Sequence, residues 1–213
     1  MNKTTPQLKL HRNSQKRYYI ENAIYFITTN TYNGYPYFEN DILCELFAHE
    51  LNWCKQIQQF KTHGYKINPD HIHLLIQPIG KYNYSEIIRS LKTNFSRDAN
   101  RIMGYNNSFK HLKARSRDLA FTDCEKLVRA YQNQFIKKCC FNHNIPQFKR
   151  QSSFHDHIIR NDFDYFQHLK YIQNQWIKHK LPINKWCWVL GENNKRRKNE
   201  HPQKRHFKKS YKQ

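Results

Sequence analysis

The chain has 213 residues, of which 38% are hydrophobic and 15% aromatic, so it is long enough for one well-packed domain. It carries 37 Lys and Arg against 16 Asp and Glu, and the formal net charge of +21 favours a polyanionic partner, above all nucleic acid. It contains neither a long apolar span nor a basic amphipathic segment with a clean apolar face, which argues against a membrane partner.

The first part of the chain, residues 1 to 17, is polar and basic and predicts a loosely held arm. It has no apolar stretch typical of a secretion signal, so we expect a cytoplasmic protein with reduced thiols. The six cysteines form no C-x-x-C pair, which argues against a structural zinc ribbon.

Strands and helices alternate in the pattern that follows. β-Branched and aromatic residues in AIYFITTNTY, residues 23 to 32, predict a strand. A helical period begins next, with Asn40 or Asp41 as its N-cap. Two short strands are expected around a turn at residues 68–70, and a second helix is expected to begin at Ser85.

The second half of the chain is less regular. Residues 104 to 150 are interpreted as an insertion that contains one helix, around 123 to 139. Another helix, 162 to 181, is expected to begin at Asn161 or Asp162 and to stop before Pro182. Residues 191 to 213 are basic and almost free of apolar side chains, which predicts a disordered polybasic tail. The order of elements over residues 18 to 190 predicts an α+β sandwich.

The stretch NPDHIHLLIQP, residues 68 to 78, places two histidines on one predicted strand. Strand alternation puts His71 and His73 on the same face, about 7 Å apart along the chain, and Ile72 and Leu74 on the other. Two adjacent neutral imidazoles suit neighbouring positions in the coordination shell of one metal ion. A chain with 13 histidines also produces such a pair by chance on a half-exposed strand, so a third ligand and a reacting group must be found.

The helix at 162 to 181 offers candidates for both roles. Tyr171 and Gln175 lie one turn apart, and Lys178 shares their more polar surface. The periodicity predicts a separate core stripe, formed by Phe166, Leu169, Ile172 and Trp176. From the periodicity alone, ordinary surface side chains are the favoured interpretation of Tyr171 and Gln175.

At these residues the sequence resembles a known family. HIHLL after the NPD turn resembles the HUH motif (His, hydrophobic, His) of single-tyrosine HUH transposases. FHDHIIRNDFDYFQHLKYIQNQ is similar to the closing segment of REP-associated tyrosine transposases, whose helix carries Tyr-Ile-x-x-Asn-Pro. Here YIQNQW puts Tyr171 at the position of the nucleophile and Gln175 at that of the amide, and Trp176 stands where the family has proline. The resemblance covers about residues 18 to 181.

The resemblance implies a ferredoxin-like sandwich whose antiparallel sheet carries the histidines. It implies that His71, His73 and Gln175 hold a divalent cation, Mg²⁺ or Mn²⁺. It also implies that Tyr171 attacks a DNA phosphate, forms a 5′-phosphotyrosine link and releases a 3′-hydroxyl, which can later rejoin.

The partner that the resemblance implies is single-stranded or hairpin DNA, bound by a monomer or a homodimer at the nucleoid of a prokaryotic cytoplasm. The residues expected to contact DNA are Lys178, Arg89 and, in the tail, Lys195, Arg196, Arg197 and Lys198.

Two alternatives remain open. A nucleic-acid-binding protein derived from a transposase but without catalysis would explain the charge equally well, although it leaves the spacing of Tyr171 and Gln175 to chance. A replication initiator of the same superfamily is the other alternative. Such chains are usually longer and often carry a helicase, and no G-x-x-x-x-G-K-[ST] motif occurs here.

Overall fold

The computed structural model describes residues 17–105, 119–139, 144–182 and 185–190. Residues 1–16 of the predicted arm and all of the predicted tail, 191–213, lie outside these ranges. The strands are β1 (Tyr25–Asn30), β2 (Phe60–Ile67), β3 (His71–Pro78), β4 (His155–Ile158) and β5 (Cys187–Val189). The helices are α1 (Asp41–Gln58), α2 (Tyr84–Ile102), α3 (Leu119–Cys139) and α4 (Asp162–Lys178).

The five strands form one antiparallel sheet in the order β4-β1-β3-β2-β5. With α3 set aside, the elements from β1 to β4 run β-α-β-β-α-β, and their spatial order, 4-1-3-2, is that of a ferredoxin-like sheet. The predicted α+β, ferredoxin-like fold class is confirmed. No helix among the described residues is long and apolar enough to cross a bilayer.

Asparagines set the beginnings of three helices, because a side-chain oxygen at the N-cap can accept an otherwise unpaired backbone N–H. Asn40 accepts from the N–H of Ile42 at the start of α1, and Asn161 has the same role at α4. Asn83 forms a capping box with Glu86, which starts α2 one residue earlier than predicted.

The larger core fills the space between one face of the sheet and helices α1, α2 and α3. Alternate residues of β3 enter this core, as strand periodicity predicted, and the buried face of α2 packs against them. The buried side chains of these two elements include Ile72, Leu74, Ile76, Ile87, Ile88, Leu91 and Phe95. Val128, Tyr131 and Phe135 add α3 to the same core.

A smaller core lies on the opposite face, between the sheet and α4. Leu75, Ile172 and Val189 are its fully buried members. Gly64 on β2 makes the close approach feasible: a Cβ there would lie 3.1 Å from Val189 Cγ1 and 3.4 Å from Ile172 Cδ1. Strands β4 and β5, which frame α4 in the chain, were not predicted from the sequence.

The core stripe predicted for α4 is only partly right. Ile172 is fully buried and Leu169 packs against the smaller core, but Phe166 is 63% exposed. The sheet surface beneath α4 is partly polar, so the helix turns polar side chains towards it. Tyr165 supplies one such contact, with its hydroxyl 3.0 Å from His63 Nδ1. Hydrophobic periodicity does not register this kind of contact.

Candidate active site

Strand β3 lies at the centre of the sheet and presents both histidines of the H-x-H pair to the face that α4 covers. His71 and His73 stand opposite Asn30 and Thr28 of β1. Leu75, the next residue on this face, packs under α4. The two imidazole rings lie 4.8 Å apart between centroids, in an edge-to-face arrangement. The predicted sharing of one face is therefore present.

Helix α4 places Tyr171 beside His73. The ring centroids of these two residues are 5.1 Å apart, and both rings contact Phe26 of β1 at 5.8 and 5.3 Å. Tyr171 is 39% exposed whereas His73 is 3% exposed. The phenol thus lies at the surface above the buried imidazole of His73, and the Phe26 ring packs against its edge.

Gln175 was predicted on the polar surface beside Tyr171, and that expectation is wrong: the side chain is 2% exposed. Its Nε2 donates to the Tyr171 carbonyl oxygen at 3.3 Å, which holds the amide one helical turn below the tyrosine. Its Oε1 is buried and has no hydrogen-bond partner among the described residues. The amide oxygen is therefore an available ligand next to His73.

The surroundings of His73 keep its imidazole neutral. Burial, with a smaller contribution from His71, lowers the pKa of His73 to about 3, and hydrogen bonding with the Gln175 side chain, a smaller effect than either, acts to raise it. His73 Nδ1 lies 2.9 Å from Thr28 Oγ1. Nε2 is buried and makes no hydrogen bond of normal geometry within the described part of the chain. In the tautomer that carries the ring proton on Nδ1, the N–H donates a hydrogen bond to Thr28 Oγ1 and the lone pair of Nε2 is free for a ligand.

His71 is held by its neighbours in the turn before β3. Nδ1 lies 2.6 Å from Asp70 Oδ1, and Nε2 lies 3.0 Å from Asn68 Nδ2. The ring of His179, just after α4, is 4.9 Å from that of His71, and its own Nε2 is buried without a partner in the described ranges. Three imidazoles therefore meet at the end of α4.

The residues fit the divalent cation that the sequence resemblance implied. His73 Nε2 and Gln175 Oε1 are buried acceptors that a cation would satisfy, and His71 Nε2 would exchange its bond to the Asn68 amide for the same ion. Two neutral nitrogens and an amide oxygen leave further positions for oxygen ligands, and Mn²⁺ accepts such nitrogen ligands more readily than Mg²⁺.

A cleft of about 830 Å³ opens above these groups. His71, His73 and Tyr171 line it together with Lys178 and Arg150, so the residues around the cleft include two cationic ones. A cleft with that charge attracts a phosphate backbone.

Comparisons with known proteins match this chain to transposases, as the sequence resemblance implied. The family model described as "Transposase IS200 like" matches residues 19–121. A Haemophilus influenzae protein named as a REP-associated tyrosine transposase is 27% identical over 170 residues, which make up 77% of this chain and 76% of that protein. Over residues 19–121 the chain is similar to the IS200-like transposases. The resemblance to REP-associated tyrosine transposases is confirmed.

A solved structure shows that the likeness extends to the fold. The structure of a REP-associated tyrosine transposase bound to a REP hairpin superimposes with a TM-score of 0.53 at 18% identity, covering 79% of this chain and 74% of that chain.

The residues predicted to contact DNA do not all lie together. Lys178 lines the cleft with Tyr171. Arg89 is exposed on α2, which packs on the opposite face of the sheet, and it does not line the cleft. The four basic residues predicted in the tail, 195–198, lie outside the described residues.

The sequence analysis missed His179, whose ring contacts that of His71, and Arg150, which lines the cleft. His179 follows Tyr171 and Gln175 at the same helical spacing, so the positions 171, 175 and 179 were a usable signal. Arg150 belongs to a segment without periodicity, where a single bridge to Thr31 sets its position at the end of β1. No sequence pattern pointed to Arg150.

Proposed function

We propose that this protein is a divalent-metal-dependent transesterase of single-stranded DNA, acting as a transposase that nicks and rejoins strands through a 5′-phosphotyrosine intermediate. The observation that carries the proposal is the contact between Tyr171 and His73, at 5.1 Å between ring centroids, in a cleft that also holds His71, Lys178 and Arg150. Beneath this tyrosine, His73 Nε2 and Gln175 Oε1 are buried ligand atoms without a hydrogen-bond partner of normal geometry in the described part of the chain.

The proposed step is a balanced exchange of ester bonds. The phenolic oxygen of Tyr171 attacks the phosphorus, the bond from phosphorus to the 3′ oxygen breaks, and its electron pair leaves with that oxygen. The phenol loses one proton and the departing 3′ oxygen gains one. Attack by a 3′-hydroxyl on the phosphotyrosine reverses the step, and no nucleotide cofactor is consumed.

The cation and the side chains have separate parts in the proposal. When held by His71, His73 and Gln175, Mg²⁺ or Mn²⁺ would supply Lewis acidity that offsets the negative charge of the phosphodiester. Thr28 sets the orientation of the His73 ring, and Phe26 limits the movement of the Tyr171 ring.

The basic residues of the cleft have positions suited to binding the strand. Lys178 and Arg150 both line it, and Arg150 is steadied by a bond from its Nη1 to Thr93 Oγ1 at 2.8 Å. Their charges would contact phosphates on either side of the scissile bond.

The proposed substrate is a hairpin with a single-stranded flank. A phenol on a rigid helix reaches a phosphate in an unpaired strand more readily than one in a continuous duplex, and a related protein of the same fold is bound to a REP hairpin. Tyr171 lies against His73 within the same protomer, which supports a site that one protomer completes. The basic segment 192–213 would add affinity that is sensitive to salt and indifferent to sequence.

A covalent-trapping assay with two tyrosine variants tests the proposal. Hairpin oligonucleotides with randomised single-stranded flanks, labelled at the 3′ end, are incubated with the full chain and Mn²⁺ and run on a denaturing gel. The wild type should carry the label, since a 5′-phosphotyrosine retains the 3′ part of the strand. Tyr171→Phe should abolish the adduct while keeping the ring contacts, and Tyr32→Phe, a tyrosine lining the same cleft, should retain it.

Two outcomes would count against the enzyme. An adduct that persists in Tyr171→Phe would assign the nucleophile elsewhere. Tight hairpin binding without any adduct in the wild type would favour the non-catalytic DNA-binding protein instead.

A further inference from the structure

A second cluster of metal-ligating side chains lies outside the cleft, where β4 leads into α4. It consists of His157 on β4 and of Asp164 and His168 on the first turns of α4. None of the three lines the cleft, and the chemistry proposed above uses none of them. We propose that these three residues form a second divalent-metal site, selective for Zn²⁺ or a similar transition metal.

The ligand atoms already converge. His157 Nε2 lies 2.9 Å from Asp164 Oδ2, and His168 Nδ1 lies 3.0 Å from Asp164 Oδ1. One ligand atom from each residue falls within 4.8 Å of the other two. Zinc bonds of about 2.0–2.1 Å in a tetrahedral shell place neighbouring ligand atoms ~3.3 Å apart, so small side-chain shifts would admit the ion.

The three side chains are held in place for this arrangement. The rings of His157 and His168 stack at 4.8 Å with an interplanar angle of 20°, which turns both ring edges towards the same carboxylate. The Arg160 backbone N–H donates to Asp164 Oδ2 at 3.0 Å. Such outer contacts orient a ligand before the metal arrives. Partial burial acts to raise the pKa of Asp164, but the hydrogen bonds from His157 and Arg160 outweigh it and keep the carboxyl ionised.

The donor set favours zinc over the ion proposed for the cleft. Two imidazole nitrogens and one carboxylate oxygen, with a position left for water, are typical of zinc, whereas Mg²⁺ prefers oxygen ligands. The other cluster of this kind in the described residues, Glu50, Asp98 and Cys124, is a weaker candidate. Its central carboxylate, Asp98, is fully buried and already paired with Arg97 at 2.6 Å and Arg101 at 3.1 Å.

The position of the site suggests what the metal does. The Phe26 ring contacts His168 at 4.5 Å and Tyr171 at 5.8 Å, so one aromatic ring separates this cluster from the proposed nucleophile. A metal here would tie β4 to the first two turns of α4. It would thereby restrict the motion of the helix that carries Tyr171.

The alternative to a metal site is a clasp made of hydrogen bonds alone. His157 and His168 both contact the Asp164 carboxylate, and His168 Nδ1 also lies 2.9 Å from the Asp164 carbonyl oxygen.

Measurement of zinc binding distinguishes a metal site from such a clasp. The full chain, stripped with a chelator, is titrated with Zn²⁺ against a coloured competitor. The double variant His71→Ala/His73→Ala should still bind one equivalent. That result holds whether or not the proposed catalytic chemistry is right.

His168→Gln should weaken this zinc equivalent by more than about 100-fold, beyond the effect of losing an outer contact. Asp164→Asn, which keeps the side-chain size and a hydrogen-bond acceptor, should do the same. His63→Gln, a histidine under the same helix but outside the cluster, should leave zinc affinity unchanged. The free energy of unfolding of each variant, measured without metal, shows whether the substitution has damaged the fold.

Hydrogen exchange gives an independent measurement. Zinc should slow amide exchange in the first turns of α4 in the wild type and not in His168→Gln. Zinc binding that is equal in His168→Gln and the wild type, or absent from the double variant, would overturn the proposal and leave only the clasp.

Discussion

The attachment of α4 to the sheet is the feature on which the candidate active site most depends, and Ile172→Ala tests it. Ile172 is 0% exposed and meets Leu75 and Val189 in the smaller core. That core has three fully buried side chains, whereas the opposite face of the sheet carries the larger core. Loss of one side chain should therefore weaken the docking of α4 far more than it weakens the remainder of the fold.

The size of the effect follows from the carbons removed. Ile172→Ala deletes three carbons, and at about 0.8 kcal/mol each the lost burial is ~2.4 kcal/mol. The cavity left behind adds to that cost, and fully buried Ile→Ala changes fall at about 2–5 kcal/mol. Each 1.4 kcal/mol is a factor of ten in an equilibrium constant, so local opening of α4 should become about 30-fold more frequent or more.

Hydrogen exchange read by mass spectrometry measures this opening. Amides of α4 should exchange at least about 30-fold faster in Ile172→Ala, while those of α1 and α2 change little. Ile87→Ala is the matched control, since Ile87 is also 0% exposed but lies in the larger core and should affect all elements together. Unchanged protection of α4, or equal loss in every helix, would refute the idea that α4 is held separately.

Three further predictions concern the site, the buried charges and the tail. His73→Ala should abolish nicking of hairpin DNA yet leave its affinity within about threefold in gel shifts, and a parallel loss of binding would mark His73 as structural. Burial, and to a smaller extent the charge of Asp98, raises the pKa of Glu50 from its ordinary value of 4.5 to about 8. Between these two pH values the folded protein keeps a proton that the unfolded chain has lost. Stability should therefore fall as pH rises from about 5 to 8, by up to ~1.4 kcal/mol per pH unit. Glu50→Gln should flatten this trend in denaturant titrations, and parallel curves for the two proteins would contradict the assignment. Deletion of residues 192–213 should reduce the slope of log affinity against log salt for hairpin DNA, and an unchanged slope would show that the tail does not contact it.

Several features of the candidate site could be predicted from short stretches of sequence. The placement of His71 and His73 on one face needs only the two-residue period of a strand, and the one-turn spacing of Tyr171 and Gln175 needs only the helical period. The catalytic and metal-binding roles assigned to these residues stay predictions, which the variants above test.

The burial of Gln175 could not be predicted in the same way. A helical wheel gives the angle between two side chains but not the rotation of the whole helix against its partner. The polar surface of the sheet beneath α4, which includes His63 and His73, decided that rotation. It turned the amide inward and left Phe166 exposed.

The sequence by itself determined the helices, the strands β1 to β3 and the local geometry of the motifs, because these depend on residues within one or two turns of each other; the short strands β4 and β5 were not predicted. The tertiary structure alone decided which motifs meet. His179 meets His71, Arg150 lines the cleft, and His157 reaches Asp164 and His168. Each of these contacts joins segments that are separated in the chain or that change direction at a turn. Such contacts depend on the order of strands in the sheet and on the rotation of α4, which local periodicity does not encode.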